Sequence, residues 1–205
     1  IIGNGTNLLV SDAGVDHVVV EIGRALEDIE LLPEANASDA TSLLRGSSSV
    51  TGTAAKAAAG SAAARATSEA AAVNATAAKE KIYYLRVLAG TLLSKAAQFA
   101  ATQELAGMEA LRGIPGTLGG AVTMNAGAYG TEMKDVLYSV DVLTPEGELQ
   151  TLTPAELALG YRHSVIPERG YVVVAATLAM RKGDPAEIQA RMADFQNRRK
   201  EKQPL

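Results

Sequence analysis

The chain has no cysteine and no tryptophan, and only two of its 205 residues are histidine. Without cysteine there can be no disulfide, no thiolate nucleophile and no cysteine metal site, a composition compatible with a cytoplasmic enzyme. The two histidines, His17 and His163, are too few for an ordinary histidine-based metal centre. We therefore expect a site that uses neither a thiol nor a metal.

An excess of basic charge and long apolar runs are also absent. The net charge is −4 at pH 7, so nothing indicates a nucleic acid as partner, and no apolar run is long enough to span a membrane. Hydrophobic residues make up 47% of the chain, which is ordinary for a globular protein. The length allows a substantial core, in one large domain or two small ones.

The most unusual stretch present is residues 113–130, which is dominated by glycine and other small residues and carries no charged side chain. Glycine allows positive φ angles and close approach to bare amides, Pro115 fixes one bend, and Asn125 can bond its own backbone. Many free N–H groups among small residues suit a large anionic ligand such as a cofactor pyrophosphate. The alternative is a buried glycine-rich crossing without a ligand, since no Walker pattern is present.

A second glycine turn lies near the start, where residues 3–7 read Gly-Asn-Gly-Thr-Asn after an apolar strand. Such a turn can hold phosphate on its amides. A Rossmann unit is the alternative, with Glu21 near the distance of a ribose-binding carboxylate. It is disfavoured because the third glycine is missing and residues 8–18 are too few for a crossover helix. Glu21 is instead predicted to be a solvent-facing strand residue.

Residues 31–80 differ from the rest of the chain. Alanine occupies 15 of the 30 positions from 51 to 80, and valine is the only larger aliphatic residue among them. Alanine favours helix, but nothing there can anchor a helix to a core. We interpret this segment as a low-complexity insertion.

From residue 82 onward, apolar patterns and turn signals predict a series of regular elements. A strand over 82–88 precedes a helix from Leu92 to about Leu105, capped by Thr91. Residues 136–143 and 149–152 flank a hairpin signal, Thr-Pro-Glu-Gly.

Two Thr/Asp-Pro-Ala-Glu sequences then resemble helix starts. The first, at Thr153, predicts one short helix ending at Gly160, and the second, at Asp184, predicts the last helix. An apolar strand over 171–180 lies between them and is long enough to be central. Strands and helices in this mixed order indicate an α+β fold. The last helix carries an apolar stripe of Ile188, Met192 and Phe195.

The densest polar cluster is Tyr161-Arg162-His163-Ser164, on the loop between a predicted helix and a strand. The planar guanidinium of Arg162 suits a substrate carboxylate or a developing enolate. The alternative is a surface arginine paired with Glu168 or water. His163 and Ser164 are adjacent and have no orienting acid, so a base and nucleophile pair is disfavoured and both are predicted to be structural.

Three ordered blocks resemble the UDP-N-acetylenolpyruvoylglucosamine reductase (MurB) family of bacterial peptidoglycan-precursor enzymes. They are Gly-Asn-Gly-Thr-Asn-Leu-Leu-Val at residues 3–10, the stretch 113–130 with Glu132 just after it, and Gly-Tyr-Arg-His-Ser at 160–164. The resemblance covers roughly residues 1–29 and 82–205 and fails between them. Three blocks in order are far more specific than any one of them.

The resemblance implies an α+β, FAD-binding module of the PCMH or vanillyl-alcohol-oxidase-like type, with a small N-terminal lobe and a larger second lobe. The expected divisions are 1–30 for the partial first lobe, 31–80 for the insertion and 81–205 for the second lobe. A C-terminal substrate domain is expected to be absent from this chain. So are the serine of a Ser-Ala-Gly-Ser-type motif and the glutamate that assist protonation in the family.

The resemblance also implies the cofactor contacts. The first turn would hold the flavin pyrophosphate, the glycine-rich stretch would wrap the rest of the flavin nucleotide, and Val173 would contact the isoalloxazine ring. The expected FAD-binding residues are Gly3, Asn4, Gly5, Thr6, Asn7, Gly113, Gly116, Thr117, Gly119, Gly120, Ala121, Asn125, Gly127, Ala128, Tyr129 and Val173.

The chemistry implied by the family is reduction of UDP-N-acetylglucosamine enolpyruvate to UDP-N-acetylmuramate, with NADPH as reductant and hydride passing through FAD. Arg162 would be the catalytic arginine that polarises the enolpyruvyl group, and Tyr161 would line the substrate site beside it. A cytoplasmic monomer is expected. A non-catalytic flavin-binding remnant, and an FAD-dependent sugar or hydroxy-acid oxidase of the same superfold, remain as alternatives.

Overall fold

A computed structural model of the protein describes residues 2–6, 19–32 and 81–202. The expected insertion, apart from residues 31 and 32, lies outside the described residues, as do Asn7 and His17. The expected division into lobes therefore stays a prediction.

Six of the described strands form one sheet in which every pairing is antiparallel. Its order is β1-β2-β8-β6-β7, and β3 adds to the end of β8. The strands β4 and β5 form a separate two-stranded ribbon. Their bounds are Ile29–Leu31 for β1, Ile82–Leu88 for β2, Leu105–Ala106 for β3, Gly127–Ala128 for β4, Thr131–Glu132 for β5, Leu137–Leu143 for β6, Leu149–Leu152 for β7 and Val172–Lys182 for β8.

The strand β8 is central, as its apolar sequence predicts. It pairs with β2 on one side and with β6 on the other, and most of its side chains are buried. In β2 the alternate residues Leu85 and Val87 are fully buried, because a strand places every second side chain on the same face. The predicted hairpin is confirmed, with Leu143 opposite Leu149 at its closed end.

Three α-helices occur in the described part of the chain: α1 over Leu93–Thr102, α2 over Leu118–Thr123 and α3 over Pro185–Lys202. The face of α1 predicted to be apolar is buried against the sheet, and its small alanines allow close packing. The predicted stripe of α3 is buried at Ile188 and Met192 and partly buried at Phe195. None of these helices is long and apolar enough to cross a lipid bilayer.

The predicted bounds and cap of α1 are wrong. The residue that precedes the helix is Leu92, and the hydroxyl of Thr91 is 3.1 Å from both the N–H and the carbonyl oxygen of Asp28. At the other end Glu104 has a φ of 56°, and Leu105 pairs with Lys182 as a strand residue. Tertiary contacts therefore shorten the helix that the local pattern predicts.

The prediction of a helix that begins at Thr153 is also wrong. The capping contacts do form, since the Thr153 N–H donates to Glu156 Oε2 at 2.8 Å. One turn later Ala158 has a φ of 47°, and the Leu157 carbonyl accepts from the Val165 N–H at 3.0 Å. The capping contacts between Thr153 and Glu156 therefore fix a single turn, which the fully buried Leu157 anchors to the core.

Candidate functional site

A cavity of about 600 Å³ lies beside the end of the sheet. Its walls come from the turn at residues 2–6, the start of α2, the loop after Arg162 and the first residues of β8. This volume is within the range of about 300–1,000 Å³ that is usual for cofactor and ligand sites. The structure thus brings three segments that are distant in sequence to one place.

Two glycines allow the first turn to lie directly against the start of α2. A Cβ on Gly3 would clash with Oγ1 of Thr117, and one on Gly116 would lie 2.9 Å from Oγ1 of Thr6. The Thr6 hydroxyl also donates to the Pro115 carbonyl at 3.3 Å. A side chain at Gly3 would therefore crowd the Thr117 hydroxyl, and one at Gly116 would crowd the Thr6 hydroxyl.

Charge in the cavity has one sign. Among the described residues that line it, Arg162 carries the only charged side chain, and no carboxylate is present. Glycines supply part of the remaining wall, so a ligand can approach the backbone closely there. A guanidinium without an opposing acid suits an anionic group of a ligand.

A bulge in β8 lies next to Val173, which lines this cavity. The register of β6 with β8 places Asp141 opposite Ala175 but Val142 opposite Val173, which leaves Val174 as an extra residue. Such a bulge bends the strand locally. Val173 lies opposite the buried Val142 and lines the cavity with Val172.

The predicted cofactor residues divide between two adjacent cavities. Those that line the first are Gly3, Asn4, Gly5, Thr6, Gly116, Thr117, Gly119, Gly120, Ala121 and Val173, together with the predicted catalytic residue Arg162. A second cavity of about 590 Å³ shares Ile114, Ala126 and Arg162 with the first. The predicted residues Asn125, Gly127, Ala128, Tyr161 and Arg162 line that second cavity.

Two predicted cofactor residues, Gly113 and Tyr129, line neither cavity and pack against α3. Gly113 leaves room for the side chain of Arg199, which donates to the Ala110 carbonyl at 3.0 Å. The ring of Tyr129 stacks on Phe195 with centroids 4.8 Å apart, and the Arg199 guanidinium lies 5.5 Å from the Tyr129 centroid. Both residues therefore contact α3, one from the chain before α2 and one from the chain after it.

Asn125 is buried at 3% exposure and all its amide groups have partners within the protein. Its Nδ2 donates to Glu132 Oε2 at 2.9 Å and to the Gly160 carbonyl at 3.0 Å, and its Oδ1 accepts from the Lys134 N–H at 3.0 Å. Sequence reasoning expected this side chain at the flavin. Its contacts to Gly160 span 35 residues and have no signal in the local sequence.

The Tyr-Arg-His-Ser cluster forms a tight turn at the mouth of both cavities. The Gly160 N–H donates to the His163 carbonyl at 3.0 Å, and Arg162 between them has a φ of 50°. Tyr161 is 88% exposed, while Ser164 is buried and its hydroxyl donates to the Thr123 carbonyl at 2.6 Å. The structural roles predicted for Ser164 and the exposed His163 agree with this arrangement. The Glu168 carboxylate lies beside His163, with Oε1 3.7 Å from Nδ1.

Sequence reasoning missed several apolar residues of the first cavity. Ile22, Ala89, Ile166 and Tyr171 line it from segments outside the motifs, and no pattern in the sequence marks them.

The part of the chain that the structure describes contains no cluster of acids and histidines able to hold a metal ion.

The carboxylate of Glu132 stabilises this region in a pH-dependent way. Hydrogen bonds from Lys134, at 2.6 Å, and from Asn125 lower the pKa of Glu132 below its ordinary value of 4.5. A lowered pKa means that the stabilisation is complete above the ordinary value and is lost as the pH falls through the lowered one.

We therefore predict that Glu132→Gln lowers the melting temperature at neutral pH, and that the difference from the unmodified protein shrinks on acidification below about 4.5. Thermal unfolding across this pH range measures it. Lys134→Gln should show the same convergence, because it removes the other half of the pair. A difference that widens in acid would contradict the assignment.

Comparison with known proteins agrees with this geometry. Residues 76–153 match the family model "FAD binding domain", which includes β2, α1, the glycine-rich stretch and β6. The chain thus carries an FAD-binding domain of the PCMH type, as its sequence predicts.

The similar curated proteins are UDP-N-acetylenolpyruvoylglucosamine reductases. That of Agathobacter rectalis is 40% identical over the whole chain, which covers 54% of that relative, and that of Caldanaerobacter subterraneus subsp. tengcongensis is 36% identical over the whole chain and 51% of the relative. The chain therefore spans about half the length of these relatives.

A solved structure is similar as well. The reductase of this name from Thermus caldophilus is 42% identical with a TM-score of 0.55, over 58% of this chain and 44% of that one. Sequence blocks, cavity and fold point the same way: the chain belongs to the UDP-N-acetylenolpyruvoylglucosamine reductase family.

Proposed function

We propose that the protein containing this chain reduces UDP-N-acetylglucosamine enolpyruvate to UDP-N-acetylmuramate, with FAD as bound cofactor and NADPH as reductant. The observation that carries the proposal is the meeting of the first glycine turn, the start of α2 and Arg162 around one cavity free of carboxylates in the described residues. The names and functions of the relatives support the same reaction.

The residues present fit FAD in the first cavity. The close approach of Gly3 to Thr117 and of Gly116 to Thr6 leaves a wall of small groups that an extended dinucleotide can contact. The turn at residues 3–6 and the amides around Gly116 and Gly120 would hold the pyrophosphate, and Val173 would lie against the ring system. When bound, FAD supplies the hydride transfer.

The position of Arg162 in the lining of both cavities supports a role for it on the substrate. In this role the guanidinium binds the carboxylate of the enolpyruvyl group and stabilises the negative charge that develops there during reduction. Tyr161, at the mouth of the second cavity, would cover the substrate once it is bound. The same proposal takes the protein to be a cytoplasmic monomer.

The first test is the visible spectrum of the purified chain, with FAD added if it is colourless, followed by anaerobic addition of NADPH. We expect a bound flavin spectrum that bleaches. Failure to bind FAD would overturn the cofactor assignment.

Two other outcomes separate the alternatives. Bound FAD that NADPH cannot bleach would favour a non-catalytic remnant, and oxygen consumption with a sugar or hydroxy acid would favour an oxidase. The residues expected to attach FAD covalently in such oxidases are cysteine, which the chain lacks, and histidine, of which it has two.

A further inference from the structure

We infer that Asn125, through its side-chain amide, is a positioning residue for Arg162, and that Ser164 fixes the other end of the same turn. The inference rests on the proposed function and adds to it a means by which the guanidinium is held between the two cavities. It gives Asn125 a role different from the flavin contact that its sequence motif predicts.

The turn that carries Arg162 is anchored on both sides to the chain that follows α2. On one side the Gly160 carbonyl accepts from Asn125 Nδ2 at 3.0 Å, and on the other the Ser164 hydroxyl donates to the Thr123 carbonyl at 2.6 Å. Thr123 is the last residue of α2, whose first turn forms part of the flavin cavity. The two anchors thus fix the turn to the element that would also position the cofactor.

The two anchored residues flank Arg162, whose backbone conformation is strained. Arg162 has a φ of 50°, a region that costs a residue with a Cβ about 1–3 kcal/mol and persists where the surrounding structure holds it. The turn is closed by its own backbone bonds, from the Gly160 N–H to the His163 carbonyl at 3.0 Å and from the His163 N–H to the Gly160 carbonyl at 3.2 Å. The side-chain bonds of Asn125 and Ser164 fix where this closed turn lies. Without them the turn would shift as a unit and carry the guanidinium away from the boundary between the cavities.

The orientation of the Asn125 amide is determined by its partners. Both acceptors, Glu132 Oε2 and the Gly160 carbonyl, face Nδ2, and the donor, the Lys134 N–H, faces Oδ1. The ion pair of Lys134 with Glu132 in turn holds the carboxylate in place at 2.6 Å. An aspartate at position 125 would put an oxygen against two acceptors while keeping the shape, so Asn125→Asp removes the anchor with the least change in packing.

The test compares the two half-reactions in the full-length protein by stopped-flow flavin absorbance. NADPH reduces the flavin in the first half and does not need the substrate-binding arginine, whereas the enolpyruvyl substrate reoxidises it in the second. For Asn125→Asp we expect the second half to slow by about 10- to 100-fold, chiefly in its limiting rate rather than in the substrate concentration for half-maximal rate. Bound flavin and the first half should stay within about twofold of the unmodified protein.

Two further variants make the result specific. Asn197→Asp, the same chemical change on the exposed surface of α3, should leave both halves unaltered. Adding Glu132→Gln to Asn125→Asp gives the new carboxylate a donor from residue 132 but leaves it facing the Gly160 carbonyl, so the second half should stay slow. Full recovery in this double variant would assign the loss to Glu132 and overturn the role of the bond to Gly160.

The outcomes distinguish this inference from the proposed function. If Asn125→Asp reoxidises normally while Arg162→Ala does not, the positioning role is wrong and the proposed function stands. If the unmodified protein is not reoxidised by the enolpyruvyl substrate, the proposed function itself fails. Should Asn125→Asp not fold, Ser164→Ala removes the other anchor, and a normal second half in that variant would overturn the inference.

Discussion

Replacing Arg162 with alanine is expected to slow reduction of the enolpyruvyl substrate by about 10²- to 10³-fold while FAD stays bound, the usual cost of removing one donor to a developing negative charge. The side chain lines both cavities, and the proposed pyrophosphate contacts are made by the turn at residues 3–6 and the chain around Gly116 and Gly120. Steady-state turnover in the full-length protein, with the flavin spectrum recorded on the same sample, measures both properties.

Two variants sharpen this prediction. Arg162→Lys keeps the charge but loses the planar fork, so it should recover only part of the rate. Arg181→Ala removes an exposed arginine at the opposite end of β8 from Val173 and should turn over normally. Normal turnover by Arg162→Ala would show that the guanidinium takes no part in the reaction.

Gly116→Ala is expected to weaken FAD binding by about ten- to hundredfold. The φ of Gly116 is +118°, and a Cβ there would lie 2.9 Å from Oγ1 of Thr6. To bind FAD, the variant must adopt the backbone conformation of the unmodified chain despite this strain and crowding. The cost of about 1–3 kcal/mol therefore makes the free energy of FAD binding less favourable. Titration of the apoprotein with FAD, followed by flavin fluorescence, measures it.

Gly147→Ala is the matched control. Gly147 has a φ of +85° in the turn between β6 and β7, and a Cβ there would meet nothing within 4 Å. This variant should lose stability through backbone strain alone and bind FAD as the unmodified chain does. Unchanged affinity in Gly116→Ala would place the flavin outside this cavity.

The strands β2, β6, β7 and β8 could be predicted from the sequence because their signal is local, whereas the short strands β1, β3, β4 and β5 could not. Alternation in Ile82–Leu88 and the apolar run that becomes β8 depend only on which residues face the core. The resemblance likewise identified the segments that line the first cavity, since Gly3, Gly116 and Arg162 belong to its three blocks.

What the sequence could not show depends on distant contacts. The sequence around Thr91 predicts a helix cap, but the Thr91 hydroxyl donates to the Asp28 carbonyl. The capping contacts at Thr153 form without a helix, because the chain turns at Ala158. The bond from Asn125 to Gly160, 35 residues away, has no signal in the local sequence either. At Thr91 and Thr153 the local pattern is present and a tertiary partner decides its use.

The assembly of the cavity from remote segments has a consequence for biogenesis. The bond from Thr6 to Pro115 joins residues 109 positions apart, and Val173 reaches the cavity only through the central strand β8. Contacts of such separation form late in folding, because the entropy of closing the intervening chain must first be overcome. A nascent chain thus has no flavin site until β8 has emerged and paired between β2 and β6. The cofactor cannot guide folding, and its supply in the cell instead sets, by mass action, how much of the finished protein resists unfolding and proteolysis.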